Sequence, residues 1–173
     1  MGRFTTARLV AIPVTLEDTP MFERLWADER VGRTLGRLRS AQQVHEAVVA
    51  SIEHWQRHGF GRWVLWDGRQ PVGTVKLAEW LALGRPEVEL GYALLPAFWG
   101  RGYASEAGAG ALEHARDQLG LSEVVAFALP ENQRSLGVLQ RLDFRHEERL
   151  LLGGREHILR RRQLSSRSSG AAG

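Results

Sequence analysis

The sequence predicts an α/β domain, and three observations carry that prediction. Hydrophobic residues make up 43% of the 173 residues, which is enough for one well-packed core in a chain too short for two ordinary domains. Apolar positions recur at helical spacing in the first third of the chain and at a spacing of two in the middle. The resulting order, βαα-βββ-α-β-α-ββ, is typical of one sheet with helices packed on it.

The first third of the chain predicts one strand and two helices. Residues 8–12 predict a short strand, and Thr15 and Asp18 have the spacing of a capping box. The helix that follows has one apolar face, formed by Met21, Phe22, Leu25 and Trp26. A second helix is predicted from the N-cap Ser40 to Gly59, which ends it.

The middle of the chain predicts three strands and then a helix. Residues 62–66 and 72–80 predict a β-hairpin, and residues 87–95 predict a strand that Pro96 ends. A helix is predicted over residues 102–119. Its inner face carries small side chains, which allow a helix to lie close against a sheet.

The last third predicts a strand, a short helix and a closing hairpin. These elements cover residues 123–129, 132–142, and 144–152 with 156–163. We therefore predict one domain over residues 1–163 and a disordered tail over residues 164–173.

Composition argues against several classes of function. The net charge is +3, from 23 basic and 20 acidic residues, and no dense basic stripe is present to bind nucleic acid. No segment approaches the roughly 18 apolar residues of a membrane span. The chain has no cysteine, which excludes disulfides and thiolate metal sites and is consistent with a reducing cytoplasm. We expect a cytoplasmic protein without a metal, a nucleic-acid partner or a membrane partner.

The segment after the third predicted strand of the middle region has the features of an anion site. Gly100 and Gly102 separate that strand from a helix, and glycines let the backbone approach a bulky diphosphate. A dinucleotide fingerprint would need a third glycine where Ser105 stands. A P-loop would need a lysine, and Lys76, the only lysine, lies in the predicted hairpin.

A second motif follows about 30 residues later. Residues 99–107 read Trp-Gly-Arg-Gly-Tyr-Ala-Ser-Glu-Ala, and Asn132 and Ser135 form an Asn-x-x-Ser motif. The pair resembles the GNAT superfamily, and its spacing resembles the branch that includes the ribosomal-protein N-terminal acetyltransferases RimJ and RimL. The resemblance covers roughly residues 5–160. It implies a GNAT fold, a mixed and mostly antiparallel sheet that is splayed at the acyl-coenzyme A site, with helices on both faces.

The resemblance also implies acetyl-coenzyme A as cosubstrate and a set of residues that bind it. These are Leu94, Leu95, Trp99, Gly100, Arg101, Gly102, Tyr103, Ala104, Ser105, Asn132 and Ser135. The N–H groups near Leu94 and Leu95 would bind the acyl carbonyl, and Ser135 would donate a hydrogen bond to the departing sulfur. Asn132 could equally be an ordinary helix cap.

Glu89, with Ser135 and Asn132, completes the candidate catalytic set. A general base is useful because an amine acceptor is mostly protonated at neutral pH, and Glu89 lies on the strand just before the glycine loop. Glu87 and Glu106 are weaker rivals, and a charge on a half-exposed strand can also be purely structural. Without a cysteine, we expect direct transfer in a ternary complex.

The chain departs from the family pattern at four positions, the first of which is Ile12, which precedes Pro13 where an arginine is common. Ala97 stands where Gln or Arg is frequent, so we expect backbone amides to do more of the phosphate binding. Leu139 stands where many members have a tyrosine acid, and Asp143 replaces the glycine of a Leu-Gly-Phe turn.

Several alternatives stay open at this point. The acceptor can be a protein N-terminus or a small amine such as an antibiotic, a polyamine or an amino acid. The chain can also be a catalytically silent acyl-coenzyme A-binding module. We expect a monomer or a homodimer.

Overall fold

The computed structural model of the chain describes residues 2–35, 39–81 and 84–164. Within them, eight strands form one sheet and five α-helices pack on it. The strands are β1 (Phe4–Thr5), β2 (Val10–Pro13), β3 (Arg62–Trp66), β4 (Pro71–Trp80), β5 (Glu87–Leu94), β6 (Glu123–Ala128), β7 (Arg145–Leu152) and β8 (Arg155–Gln163). The helices are α1 (Thr19–Ala27), α2 (Glu29–Leu35), α3 (Ala41–His58), α4 (Tyr103–Asp117) and α5 (Gln133–Arg141). The predicted α/β class is confirmed.

The sheet is divided into two halves that part at its centre. The strand order is β1-β2-β3-β4-β5-β6-β8-β7, and every neighbouring pair is antiparallel except β5 and β6. In the described chain, β5 and β6 are paired only at Glu89 and Val125. Beyond that point β5 stays with β4 and β6 stays with β8, which leaves a gap between the C-terminal ends of β5 and β6. The predicted mixed, splayed sheet is confirmed.

The two faces of the sheet are covered by different helices. Val64 and Ala93 pack into the cluster formed with α1 and α3. Leu65 and Leu94, their neighbours in sequence, pack into the cluster formed with α4. Successive residues of a strand point to opposite faces, so each central strand contributes to both clusters.

The predicted caps at Thr15, Ser40 and Gly59 are found where the sequence placed them, whereas the helix predicted over residues 102–119 is shorter, Tyr103–Asp117. The N–H of Thr15 donates to Asp18 Oδ2 at 2.8 Å, in a 3₁₀ turn that leads into α1. Ser40 and Gln43 form the reciprocal capping box of α3, and Gly59 ends that helix with a φ of +73°. These features depend on residues within four positions of one another, which is why sequence pattern captures them.

Asp143 keeps the turn after α5 in the left-handed conformation that a glycine would adopt. Its φ is +60°, and aspartate is one of the few side chains that tolerate this region. The replacement of glycine at this position therefore leaves the turn geometry intact.

Two elements were not predicted from the sequence, most predicted boundaries shift by one or two residues, and the end of the domain moves. β1 has two residues and α2 has seven, both too short for a reliable periodic signal. Leu164, assigned from sequence to the tail, is 9% exposed, and its N–H donates to Ser122 O at 2.7 Å. The rest of the predicted tail, residues 165–173, lies outside the described residues. No described helix is both long enough and apolar enough to span a bilayer.

Candidate active site

A cavity of about 1040 Å³ passes through the sheet in the gap between β5 and β6. Glu89 and Ala93 line it from the face covered by α1 and α3, and Tyr92 and Leu94 line it from the α4 face. A ligand inserted from one face can therefore reach side chains on the other. The predicted site residues line this cavity, with the exception of Leu95 and Arg101.

The loop between β5 and α4 presents backbone N–H groups to one end of the cavity. Gly100 and Gly102 have φ angles of +76° and +78°, which glycine adopts without a steric penalty. Gly102 is the N-cap of α4, so the first N–H groups of the helix have no acceptor within it. Within the described chain, we find no acceptor for any backbone N–H of residues 100–105. Such a set of amides, at the positive end of a helix dipole, suits a diphosphate.

The outer side of this loop is tied to the start of the chain. Glu106 accepts hydrogen bonds from Thr6 Oγ1 at 2.6 Å and from Arg8 N and Nε at 2.7 and 2.6 Å. Arg8 Nη1 also donates to the carbonyl oxygen of Arg101 at 2.9 Å. Burial alone would raise the pKa of Glu106, but these hydrogen bonds outweigh it and lower the pKa. Glu106 is thus an anchor of the loop and not a free base.

The end of β5 is held by two hydrogen bonds, one of which overturns a prediction. Trp99 Nε1 donates to Leu94 O at 2.8 Å, and the N–H of Leu95 donates to Val72 O at 2.9 Å. The prediction that the Leu95 amide binds an acyl carbonyl is wrong, because that N–H is used by the β4–β5 ladder. Successive N–H groups of a strand point to opposite neighbours, so the N–H of Leu94 points toward the gap.

Two arginines of α5 were missed by the sequence analysis. Arg134 and Arg141 both line the cavity, and Arg141 Nε donates to Ser105 Oγ at 3.0 Å. The guanidinium of Arg134 lies 5.0 Å from the ring centroid of Trp99. Their spacing of seven residues, two helical turns, could have indicated a shared face. Their two positive charges lie near the loop between β5 and α4, which has Ala97 where Gln or Arg is frequent in the family.

Asn132 and Ser135 lie at the start of α5, where that helix meets the cavity. Asn132 Oδ1 accepts a hydrogen bond from the N–H of Ser135 at 3.1 Å, so Asn132 is the helix cap that the sequence allowed. Its Nδ2 donates to Thr34 O at 3.4 Å, which links α5 to α2. Capping and lining the cavity are compatible, since the cap uses only one side of the amide.

Tyr92 is a further polar group that the sequence analysis did not select. Its hydroxyl is 2.9 Å from Ser135 Oγ and donates toward Ser135 O at 3.2 Å. Burial raises the pKa of Tyr92 to about 12, although the hydrogen bond with Ser135 acts in the opposite direction. Tyr92 therefore stays protonated at neutral pH. The sequence could have indicated Tyr92, because it lies three residues after Glu89 on the same strand and therefore on the opposite face.

Glu89 is the carboxylate that lines the cavity. It is 7% exposed, and its Oε2 is 2.8 Å from Lys76 Nζ, so Oε1 is the oxygen that could take a proton. Glu87 does not line the cavity, and it is bound to Arg85 at 3.0 Å and to Arg161. Of the carboxylates considered from sequence, Glu89 is thus the one with access to a ligand.

His54 and His58 are stacked on α3 with ring centroids 4.4 Å apart, and His54 makes internal contacts. His54 Nδ1 lies 2.8 Å from Phe60 O, and His54 Nε2 accepts from the N–H of Glu79 at 3.2 Å. Burial lowers the pKa of His54, which favours the neutral ring that these bonds require. Among the described residues, no group of three His, Asp or Glu side chains is arranged to hold a metal ion.

Comparison with known proteins gives a family match over most of the chain. The family model described as an acetyltransferase (GNAT) domain matches residues 8–145. The FsC-acetyl coenzyme A-N(2)-transacetylase of Aspergillus fumigatus is 29% identical over 155 residues, which cover 83% of this chain and 65% of that protein. The chain thus spans less than two thirds of the length of this relative.

Solved structures share the fold. The acetyltransferase of Agrobacterium tumefaciens has a TM-score of 0.82 and 23% identity, covering 95% of each chain. RimL, the ribosomal L7/L12 alpha-N-protein acetyltransferase solved with coenzyme A, has a TM-score of 0.76 and 18% identity, covering 92% of this chain and 96% of its own. At these identities the likeness shows the fold.

We expect Glu106→Gln to lower the free energy of unfolding by about 1–2 kcal/mol at pH 7, because it weakens the hydrogen bonds and the ion pair with Arg8. The effect is small because the Arg8 side chain is 49% exposed, so solvent screens its charge. The pKa of Glu106 is lowered on folding, so its stabilisation is present above the ordinary value of 4.5 and is lost as pH falls through the folded pKa. Denaturant unfolding at pH 7 and at a pH near 3.5 measures the difference.

The matched control is Glu113→Gln, on the exposed side of the same helix. It should change the free energy of unfolding little at either pH. An equal loss for Glu106→Gln at both pH values would contradict the ionic role of this carboxylate.

Proposed function

The chain belongs to the acetyltransferase (GNAT) family, and we propose that it transfers an acetyl group from acetyl-coenzyme A to a primary amine. The observation that carries the proposal is the single cavity through the sheet. At one end of the cavity are the backbone N–H groups of residues 100–105, which have no acceptor among the described residues. The carboxylate of Glu89 lines the cavity from the sheet face that α1 and α3 cover. An anionic cosubstrate and an amine can therefore meet in the gap between β5 and β6.

The loop and α5 would hold the coenzyme. The N–H groups of residues 100–105 would bind the diphosphate, with Arg134 and Arg141 adding positive charge. Helix N-termini and guanidinium groups both suit phosphate oxygens, and the loop amides have no acceptor among the described residues. The two arginines supply the side-chain contribution that Ala97 does not.

Acetyl-coenzyme A supplies an activated acetyl group: the amine nitrogen bonds to the thioester carbonyl carbon, and the carbon–sulfur bond breaks. Glu89 Oε1 would accept the proton that the amine loses, directly or through a water molecule. The N–H of Leu94, which points toward the gap, would donate to the carbonyl oxygen as negative charge develops on it.

Ser135 and Tyr92 would act on the leaving sulfur. Tyr92 keeps its proton at neutral pH, because burial raises its pKa to about 12, and its one hydrogen can be donated to Ser135 Oγ in place of Ser135 O. Ser135 is then free to donate its own hydrogen to the sulfur. Asn132 fixes the first turn of α5 and with it the position of Ser135.

The acceptor of the enzyme can be a protein N-terminus or a small amine. We further propose that the protein acts in the cytoplasm, as its lack of cysteine suggests, and as a monomer or a homodimer.

We expect the protein to release free thiol from acetyl-coenzyme A only when an amine is added. A panel of peptides with free N-termini, amino acids, polyamines and aminoglycosides, followed with a thiol reagent, measures this. Coenzyme A binding without amine-dependent thiol release across the panel would support the silent module instead.

We expect Gly102→Val to weaken coenzyme A binding roughly 100-fold or more, the effect of losing about two charge-assisted hydrogen bonds. A β-branched residue does not tolerate a φ of +78°, so the loop must move its amides. Titration calorimetry measures the affinity. Gly120→Val is the control, because Gly120 has a φ of +64° and lies outside the cavity. Unchanged affinity in a folded Gly102→Val protein would remove the loop from the binding site.

We expect Glu89→Gln to lower kcat by roughly 10²–10⁴-fold, the usual contribution of a general base, while coenzyme A affinity stays unchanged. Glutamine keeps the size of the side chain and can still accept a bond from Lys76. Steady-state kinetics on the best amine of the panel measures the effect, with Glu79→Gln, an exposed carboxylate of β4, as control. A normal rate would exclude Glu89 as the base.

A further inference from the structure

The part of the cavity around Glu89, where the proposed amine binds, carries more positive charge than the carboxylate of Glu89 balances. Arg62 of β3 lies directly opposite Lys76 of β4 in the sheet register, and both line the cavity on the same face as Glu89. Lys76 and Glu89 form an ion pair at 2.8 Å. That pair is neutral, so the charge of Arg62 is left for other partners.

The protein contacts of Arg62 are neutral. Its Nε donates to Ser51 Oγ at 3.2 Å, and its Nη1 lies 3.4 Å from Thr74 Oγ1. Both hydroxyls donate their own hydrogens elsewhere, to Ala47 O and Trp63 O, and so only accept from Arg62. In the described chain, no carboxylate lies at ion-pair distance from Arg62, and Nη2 has no acceptor.

Aromatic rings hold the guanidinium at the cavity wall. The ring centroids of Trp26 and Phe22 lie 5.5 and 5.8 Å from its central carbon. Arg39 also contacts Trp26, and its guanidinium is 4.6 Å from the centroid of that ring. Burial lowers the pKa of Arg62 to about 10. The negative charge of Glu89 raises this pKa, and the positive charge of Arg39 lowers it further. Arg62 is therefore still charged at neutral pH.

A cation in this position is costly to bury without a counter-ion, and it is best stabilised by a ligand that brings one. A guanidinium recognises carboxylates through paired, charge-assisted hydrogen bonds. The cavity opens beside it, so the ligand and not the protein can supply the anion.

We propose that the acceptor is a small amine that also carries a carboxylate, as an amino acid does, and that Arg62 binds this carboxylate while the amine faces Glu89. The inference rests on the proposed acetyl transfer and narrows its substrate class. It disfavours polyamines, because the charge of Arg62 would repel a second ammonium group.

The test compares amines that differ only in the negative charge. Amino acids are paired with their primary amides, and kcat/KM is compared after correction for the fraction of free amine. Wild-type protein should have the higher kcat/KM for the amino acid of each pair. Arg62→Gln should lower kcat/KM for the amino acid about 10–100-fold, the effect of losing a charge-assisted hydrogen bond. The amide should be affected much less.

Two further variants separate charge from folding. Arg62→Lys keeps the positive charge and should retain part of the preference. Arg69→Gln removes an exposed arginine from the β3–β4 turn and should leave both members of each pair unchanged. Coenzyme A affinity and melting temperature, measured for each variant, identify any loss that comes from unfolding.

The outcomes distinguish this inference from the proposed function. Acetylation of amides, polyamines or neutral peptides at rates equal to or above those of amino acids overturns the inference and leaves acetyl transfer standing. If no amine is acetylated, the proposed function fails, and the pairs are then compared by their binding to the protein–coenzyme A complex. Equal affinity of acid and amide in that measurement overturns the inference as well, and a preference that Arg62→Gln removes upholds it.

Discussion

The parting of β5 from β6 is the constraint on which the rest of this structure depends. The two strands are paired at Glu89 and Val125, and each then continues with its own antiparallel neighbour. Backbone groups that a continuous sheet would satisfy are left facing a cavity, where only water or a ligand can pair with them. The same opening therefore creates the space for a ligand and the donors that bind it. A closed sheet with the same residues would have neither.

Because the gap passes through the sheet, one strand serves two chemical environments. Glu89 and Tyr92 are three residues apart on β5, and their side chains point to opposite faces. In the proposed reaction, Glu89 would receive a proton from the amine, and Tyr92 would support the hydrogen bond to the leaving sulfur. A regular strand holds both side chains at a fixed separation, which is the positional accuracy that such a reaction needs. The glycine loop follows directly from the end of this strand.

The sequence by itself determined the features that arise within a few residues. Gly100 and Gly102 could be assigned to an anion-binding loop, because glycine is needed where the backbone adopts a positive φ before a helix. Ser40 and Asn132 could be assigned as helix caps, because a cap bonds to an N–H three residues on. β3 was predicted at its observed bounds, since its run of four consecutive apolar residues after Arg62 is a local feature of the sequence.

Only the tertiary structure decided which distant groups meet and which amides are free. The N–H of Leu95 was assigned to the wrong partner, because the direction of a strand amide depends on which neighbour lies on each side, and one strand does not reveal that. The contact of Tyr92 with Ser135 spans 43 residues. Arg62 forms no ion pair with a described carboxylate, and the register of β3 against β4 places it opposite Lys76 instead. Local pattern cannot determine such relations, because they are set by how separate elements pack in space.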